Sequence, residues 1–119
     1  MQWDGSVNAG FSAGKPWIKI HENYKNVNVY LSTQNNNSIL NTYKALLALR
    51  NSEKALQYGI YERLELTDER ILYTRSYKGD RITVIVNFGK EIKIELQSGA
   101  KILMGDQVLK SNDFLIYRN

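Results

Sequence analysis

Hydrophobic and polar residues follow three different patterns along the chain, and each pattern predicts a different kind of structure. Residues 38–52 repeat apolar side chains at spacings of three and four, which is the period of an amphipathic α-helix. Residues 55–119 alternate apolar and polar side chains, most strictly over residues 91–96, as strands with one buried face do. Residues 1–37 keep neither period. The fold class predicted is mainly β with one helix: a small antiparallel β-sandwich preceded by an irregular loop and a single amphipathic helix.

Six short strands are predicted in the alternating region. They cover residues 59–65, 70–78, 82–88, 91–96, 100–104 and 113–118. The sequence Lys78-Gly79-Asp80 is typical of a short hairpin turn between the second and third strands. Along the third strand one face carries four apolar residues that are expected to be buried together: Ile82, Val84, Val86 and Phe88.

The first 37 residues combine the marks of a loop with large apolar side chains. They contain seven of the twelve Asn residues and the only Pro, but also Trp3, Phe11 and Trp17. A loop this long is uncommon inside a compact domain, where loops beyond about 12–15 residues need a special reason. We expect that the segment is shaped to lie against something outside the chain, and that the chain is part of a larger protein.

Composition and charge remove several classes of protein. The 119 residues include no Cys, so neither disulfides nor thiolate metal sites are available. The net charge of +4 is spread along the chain: three bases and two acids in residues 1–37, three and one in residues 38–54, ten and nine in residues 55–119. No basic stripe for nucleic acid and no membrane-spanning run is present, and the first residues do not resemble a signal peptide. A cytoplasmic protein without a nucleic-acid or membrane partner is expected.

The residue types that carry catalysis are scattered or missing. His21 is the only histidine, which removes zinc sites built on His pairs, and no glycine-rich phosphate loop is present. The twelve carboxylates are spread along the chain without a pattern that singles out an acid or a base. No catalytic residue, metal site or cofactor is predicted. The eight Tyr and two Trp leave two interpretations open, a sugar-stacking platform or ordinary packing in the strands.

The opening of the chain resembles a segment of bacterial α-glucosidases. Residues 1–12 read MQWDGSVNAGFS and residues 14–19 read GKPWIK. Residues 23–29, the helix at 38–50, the pair Tyr58-Gly59 and residues 84–88 match the same proteins. These belong to glycoside hydrolase family thirteen, the α-amylase superfamily, in the branch with oligo-1,6-glucosidase, maltase and trehalose-6-phosphate hydrolase.

The resemblance implies a C-terminal part of such an enzyme. Residues 1–54 would be a remnant of the catalytic barrel, a loop plus the last helix, and residues 55–119 the C-terminal antiparallel β domain. The parent would be a retaining glycoside hydrolase whose three catalytic carboxylates precede Met1, so this chain is expected to be inactive and to have a structural role. The residues expected near sugar in the parent are Gln2, Trp3 and Asp4. A free-standing carbohydrate-binding or protein-interaction module is the alternative.

The resemblance also implies two kinds of protein partner. One is the rest of the barrel in the full-length parent. The other is a second copy of the chain, because a helix without its barrel would leave an apolar face exposed. The residues expected to form that homodimer contact are Ile39, Tyr43, Leu46 and Leu47.

Overall fold

The computed structural model describes residues 1–119 and divides into two compact units, Met1–Ala48 and Leu49–Asn119. The helices are α1 (Val29–Gln34), α2 (Ile39–Ser52) and α3 (Lys54–Tyr58), with short 3-10 turns at Val7–Gly10 and Glu22–Lys25. None of the helices has the length and apolar character needed to cross a membrane. The units divide after Ala48, and the domain boundary expected after residue 54 stays a prediction.

Helix α2 is the helix predicted from the apolar spacing. Ser38 caps its first turn, since the Ser38 hydroxyl oxygen accepts a hydrogen bond from the Asn41 backbone N–H at 3.1 Å. None of the fourteen residues of α2 is buried. The helix therefore forms as the sequence predicts, but its apolar stripe is at most half-buried within this chain.

The irregular segment contains more local structure than its lack of periodicity predicts. It forms the two 3-10 turns and the six-residue helix α1. Asn28 explains why α1 begins where it does, because its side-chain oxygen accepts a hydrogen bond from the Leu31 backbone N–H at 2.8 Å. The second 3-10 turn and α1 each begin at a single side-chain cap, and elements this short leave no helical period in the sequence.

The second unit is an antiparallel β structure of two sheets, which confirms the predicted fold class. Five strands form one sheet in the order β1-β2-β3-β7-β5, and β4 and β6 form a second sheet of two strands. The strands are β1 (Ile60–Leu66), β2 (Arg70–Tyr77), β3 (Asp80–Asn87), β4 (Ile92–Lys93), β5 (Lys101–Gly105), β6 (Val108–Leu109) and β7 (Asp113–Arg118). The β2–β3 hairpin turns at Lys78 and Gly79, whose φ angles of 50° and 87° suit a two-residue turn.

The core of this unit lies between the two sheets. Ile85 and Leu115 face each other across β3 and β7, and Leu109 of β6 packs on them from the second sheet. The other face of the large sheet buries Ile82 and Val84, and α3 contributes Ala55 and Leu56 to the buried apolar residues. Both faces of the central strand β3 are thus covered, as a sandwich with a helix on its outer side requires.

Two details of the strand prediction are wrong. The strand expected over residues 91–96 pairs only at Ile92 and Lys93, and its partner β6 was not predicted. The alternation in this segment reflects burial instead, because Ile94 and Leu96 pack on the core without belonging to a strand. Of the four residues expected to be buried together, Ile82 and Val84 are buried but Val86 is only half-buried. Phe88 is exposed, since β3 ends at Asn87 and Phe88 lies in the following turn.

Asn87 connects the two sheets through its buried side chain. Its amide nitrogen donates to the backbone oxygens of Lys90 at 2.9 Å and of Leu109 and Lys110 at 3.1 Å. Its own backbone oxygen accepts a hydrogen bond from the Asn112 N–H at 2.7 Å. A single asparagine therefore holds both chain segments that lead into and out of the small sheet.

Candidate functional site

The residues expected near sugar form the framework of the first unit. The backbone oxygens of Gln2 and Trp3 accept hydrogen bonds from the N–H groups of Val29 at 3.0 Å and Tyr30 at 2.8 Å. The Gln2 amide donates to the Val27 backbone oxygen and to the Asn23 side chain. These contacts join the start of the chain to the segment that leads into α1.

Asp4 holds a strained turn. Its carboxylate accepts hydrogen bonds from the hydroxyl and the backbone N–H of Ser6, and the hydroxyl, followed by the N–H, lowers the pKa of Asp4 below its ordinary value. The turn itself has three successive residues in the left-handed region: Asn8, Ala9 and Gly10, with φ of 57°, 57° and 65°. A Cβ on Gly10 would lie 2.8 Å from both Asp4 oxygens, so a larger residue there would displace the carboxylate that bonds Ser6.

The polar groups of Gln2 and Asp4 are therefore used within the chain. The Trp3 ring differs, because about half of its surface is exposed and no hydrogen bond uses its indole. Of the three residues expected near sugar, Trp3 alone presents a free side chain. Their proximity to sugar stays a prediction.

A cavity of about 640 Å³ opens within the first unit. Sequence reasoning did not predict it, although the large apolar side chains of the irregular segment were its signal. Its walls come from the start of the chain, from residues 16–21, from the Val27–Val29 segment and from Leu40. The volume lies in the range of about 300–1,000 Å³ that is usual for ligand sites.

Two carboxylates of the second unit converge on one arginine. Arg118 of β7 donates to Asp80 at 2.8 Å and also to Glu53, which precedes α3. The hydrogen bond to Asp80 is the largest contribution that raises the pKa of Arg118 above its ordinary value. Because both carboxylates face a permanent cation, this cluster suits an ion pair that fastens α3 to the sheet.

Tyrosines form two pairs on the outer face of the large sheet. Tyr61 and Tyr73 have ring centroids 5.2 Å apart, and Tyr58 and Tyr77 have theirs 6.0 Å apart. Burial raises the pKa of Tyr73 above its ordinary value, whereas Tyr58 and Tyr61 remain more than half exposed. One ring of each pair packs and the other is exposed, so the sugar-stacking interpretation stays a prediction.

No three His, Cys, Asp or Glu side chains come together in a group that could hold a metal ion. His21 is exposed, and its Nδ1 accepts a hydrogen bond from the Asn23 N–H at 3.3 Å at the start of a 3-10 turn. This contact gives the only histidine a local structural role.

Comparison with known proteins extends these observations. Residues 1–59 match the family model of the α-amylase catalytic domain. Over 96 residues the chain is 41% identical to the oligo-1,6-glucosidase of Parageobacillus thermoglucosidasius, covering 79% of this chain and 17% of the relative. It is also 41% identical over 95 residues to the trehalose-6-phosphate hydrolase of Escherichia coli K12, with coverage of 78% and 17%.

Solved structures of similar enzymes match the fold over nearly the whole of this chain. The trehalose-6-phosphate hydrolase of Bacillus licheniformis superposes with a TM-score of 0.81 at 31% identity, and the trehalulose synthase of Pseudomonas mesoacidophila with 0.83 at 29%. Each comparison covers 98% of this chain and 24% of the solved chain. The matched relatives are much longer than this chain, and their sequences and folds agree with it over both units. The chain belongs to the α-amylase family, glycoside hydrolase family thirteen.

Proposed function

We propose that the chain is the C-terminal part of an α-glucosidase that hydrolyses α-linked glucosides or oligosaccharides when its polypeptide is full length. The observation that carries the proposal is the agreement of fold over 98% of this chain with 24% of a solved trehalose-6-phosphate hydrolase. The sequence identity of 41% to an oligo-1,6-glucosidase points to the same class of enzyme.

The proposed role of these 119 residues is structural. Retaining glycosidases use two carboxyl groups about 5–5.5 Å apart, one as nucleophile and one as acid/base. Here Glu53 and Asp80 lie near one guanidinium, and both carboxylates are paired with Arg118. The catalytic carboxylates would be supplied by the part of the parent outside the matched region. Residues 1–54 would complete its barrel and residues 55–119 would form its β domain.

A chimera tests this proposal directly. Residues 1–119 replace the matching stretch of the Parageobacillus thermoglucosidasius oligo-1,6-glucosidase, and hydrolysis of p-nitrophenyl α-glucoside is measured. We expect the chimera to retain activity and the free chain to show none above a matched blank. Turnover by the repurified free chain, or a folded chimera without activity, would contradict the proposal.

In the same chimera the Trp3 ring is proposed to border the bound sugar. Its indole is free, whereas Gln2 and Asp4 are engaged within the chain. Trp3→Ala should then raise KM for isomaltose, because the lost contact stabilised bound substrate. An unchanged KM would place Trp3 away from the sugar.

The tyrosine pairs favour a second candidate function, a non-catalytic sugar-binding or interaction module. The exposed rings of Tyr58 and Tyr61 are each braced by a partner on β2, as a stacking platform requires. Saturable chemical-shift changes of these rings on addition of malto- or isomalto-oligosaccharides, lost in Tyr61→Ala, would support the module.

Two further features complete the proposal. The free chain is proposed to form a homodimer through Ile39, Tyr43, Leu46 and Leu47, because α2 has no buried residue. Sedimentation equilibrium tests it, since a 13.7 kDa species at every micromolar concentration would refute the dimer.

A cytoplasmic location is proposed from the absence of Cys in the composition, and cell fractionation tests it.

A further inference from the structure

The arginines of the second unit divide into two groups according to their partners. Those with a carboxylate at ion-pair distance are Arg70, Arg81 and Arg118. Those without such a carboxylate are Arg50, Arg63 and Arg75. A guanidinium keeps its charge at any ordinary pH, so the second group carries three positive charges that no ion pair compensates.

Two of the unpaired arginines lie beside the tyrosine pair of β1 and β2. Arg63 is the cross-strand partner of Tyr73, and Arg75 is the cross-strand partner of Tyr61. Side chains of such partners share a face, so these four residues form a square on the face of the large sheet opposite the sandwich core. The tyrosines occupy one diagonal of the square, with ring centroids 5.2 Å apart, and the arginines occupy the other.

Arg50 approaches the same square from the end of α2. Burial raises the pKa of Tyr73, and the positive charges of Arg75 and Arg50 act on that pKa in the opposite direction. Both guanidiniums therefore lie close enough to the phenol to influence its charge. The two carboxylates of the neighbouring cluster are bonded to Arg118 and do not pair with either of them.

The chain offers Arg50 and Arg75 neutral acceptors. Arg50 donates to the Leu56 backbone oxygen, and Arg75 donates to the Gln57 backbone oxygen at 3.5 Å, which is long for a hydrogen bond. The Nε atom of Arg75 has no hydrogen-bond partner in the chain. A guanidinium has five N–H donors, and a carbonyl oxygen does not compensate its charge. The two arginines therefore keep both charge and donors for an anion.

The chemistry of this group of residues favours a phosphate. At neutral pH a phosphate monoester carries about −1.5 to −2 charges and three acceptor oxygens, so it can bond two guanidiniums, whereas one arginine is enough for a carboxylate. Beside the arginines the Tyr61 ring is 53% exposed and is braced by Tyr73. An exposed ring held in this way stacks against a flat ring of a ligand.

We propose that this face of the sheet binds a phosphate monoester of a small molecule with a flat ring. The phosphate is bonded by Arg50 and Arg75, and the ring of the ligand lies on Tyr61. Arg63 adds positive charge from the other side of the tyrosine pair. The site goes beyond the proposed function and does not depend on it.

Titration of the 119-residue chain, followed by nuclear magnetic resonance, tests the site. The ligands are AMP, glucose 6-phosphate, inorganic phosphate, adenosine and glucose, all at one pH and one ionic strength because salt screens exposed charges. We expect saturable shifts of the Tyr61 and Tyr73 ring signals with AMP or glucose 6-phosphate. The better monoester should bind at least tenfold more tightly than its unphosphorylated form, and its identity shows whether the stacked ring is a base or a sugar.

Variants separate the two halves of the site. Arg50→Gln should weaken the binding of that monoester at least tenfold. Arg81→Gln is the matched control, because Arg81 is also exposed but is paired with Glu62 outside this group. Tyr61→Ala should abolish the advantage of the monoester over inorganic phosphate and leave the binding of inorganic phosphate unchanged. Because Tyr61 is exposed, this variant tests the site even if Arg50→Gln does not fold.

Several results would contradict the proposal. Equal effects of Arg50→Gln and Arg81→Gln would indicate a diffuse effect of net charge. Glucose or adenosine bound as tightly as its monoester would indicate stacking without a phosphate site. Inorganic phosphate bound as tightly as both monoesters would leave Tyr61 without a role, and a lack of saturable shifts would leave no site. None of these results affects the proposed function, which the activity of the chimera tests.

Discussion

The two units of this chain achieve their structure by different means. In the second unit Ile85, Leu109 and Leu115 are fully buried between two sheets, and Ile82 is fully buried on the other face of the larger sheet. In the first unit only Ala9 and Asn28 are buried, while its large apolar residues remain exposed. Hydrogen bonds define the shape of the first unit, and burial of apolar surface defines the second. The first unit therefore leaves its large apolar residues exposed, whereas the second encloses an apolar core of its own.

The largest expected effect comes from the core of the second unit. Leu115→Ala removes a side chain with 0% exposure and leaves a cavity, so it should cost about 2–5 kcal/mol of unfolding free energy. Leu47→Ala in the half-exposed stripe of α2 should change it by about 0.5 kcal/mol or less. Urea denaturation of the two variants gives both values. Equal losses of unfolding free energy in the two variants would contradict the proposed difference in apolar burial between the units.

A second large effect is expected where backbones approach closely. A Cβ on Gly105 would lie 2.1 Å from the Phe114 backbone oxygen, and the φ of Gly105 is 90°. Gly105→Ala should therefore cost about 2–4 kcal/mol, the sum of left-handed strain and overpacking. The control is Gly79→Ala, with φ of 87° but open space around it, and about 1 kcal/mol is expected there. Thermal melts compare the two variants. Similar melting temperatures would show that the close approach of the Phe114 backbone oxygen to Gly105 adds no cost.

The sequence predicts the second unit better than the first for the same physical reason. Alternating burial leaves a period of two, which locates β2, β3 and β7 closely. The contacts that shape the first unit leave no period, because a cap such as Asn28 or a carboxylate such as Asp4 acts at one position. The candidate site shows the same limit of sequence-based prediction. Gln2 and Asp4 lie in a segment that the resemblance identifies, but the hydrogen bonds that occupy their side chains are found only in the folded chain.

Alkaline pH should weaken the second unit through Tyr73. Burial raises the pKa of Tyr73 above its ordinary value of 10.0, so the folded state holds the phenol proton more tightly than the unfolded state. The resulting stability is fully present below pH 10.0 and is lost as the pH rises through the raised pKa. Unfolding midpoints measured from pH 8 upward should fall more in the wild type than in Tyr73→Phe. Parallel curves for the two proteins would contradict this.

The smallest expected effect is a gain of stability, whereas Leu115→Ala and the glycine substitutions lower it. Thr74 and Thr83 lie opposite each other on β2 and β3, and both are buried. The Thr83 hydroxyl bonds the Asn119 side chain at 2.6 Å, whereas the Thr74 hydroxyl has no partner. Thr74→Val should stabilise the protein by up to about 1 kcal/mol, and Thr83→Val should destabilise it by about the same amount. Calorimetry resolves the two signs, and a loss in both would mean that the Thr74 hydroxyl is satisfied in solution.

The amide of Asn87 has a consequence for the order in which the second unit opens. A ladder of two residues per strand, such as β4 with β6, would by itself fray and exchange its amide hydrogens within moments. Asn87 is the last residue of β3, and its side chain fastens the segments on both sides of that ladder. The small sheet can be released only when the end of the central strand gives way. Its amide hydrogens should therefore exchange together with those of β3 and β7, so that one buried side chain makes two sheets a single cooperative unit.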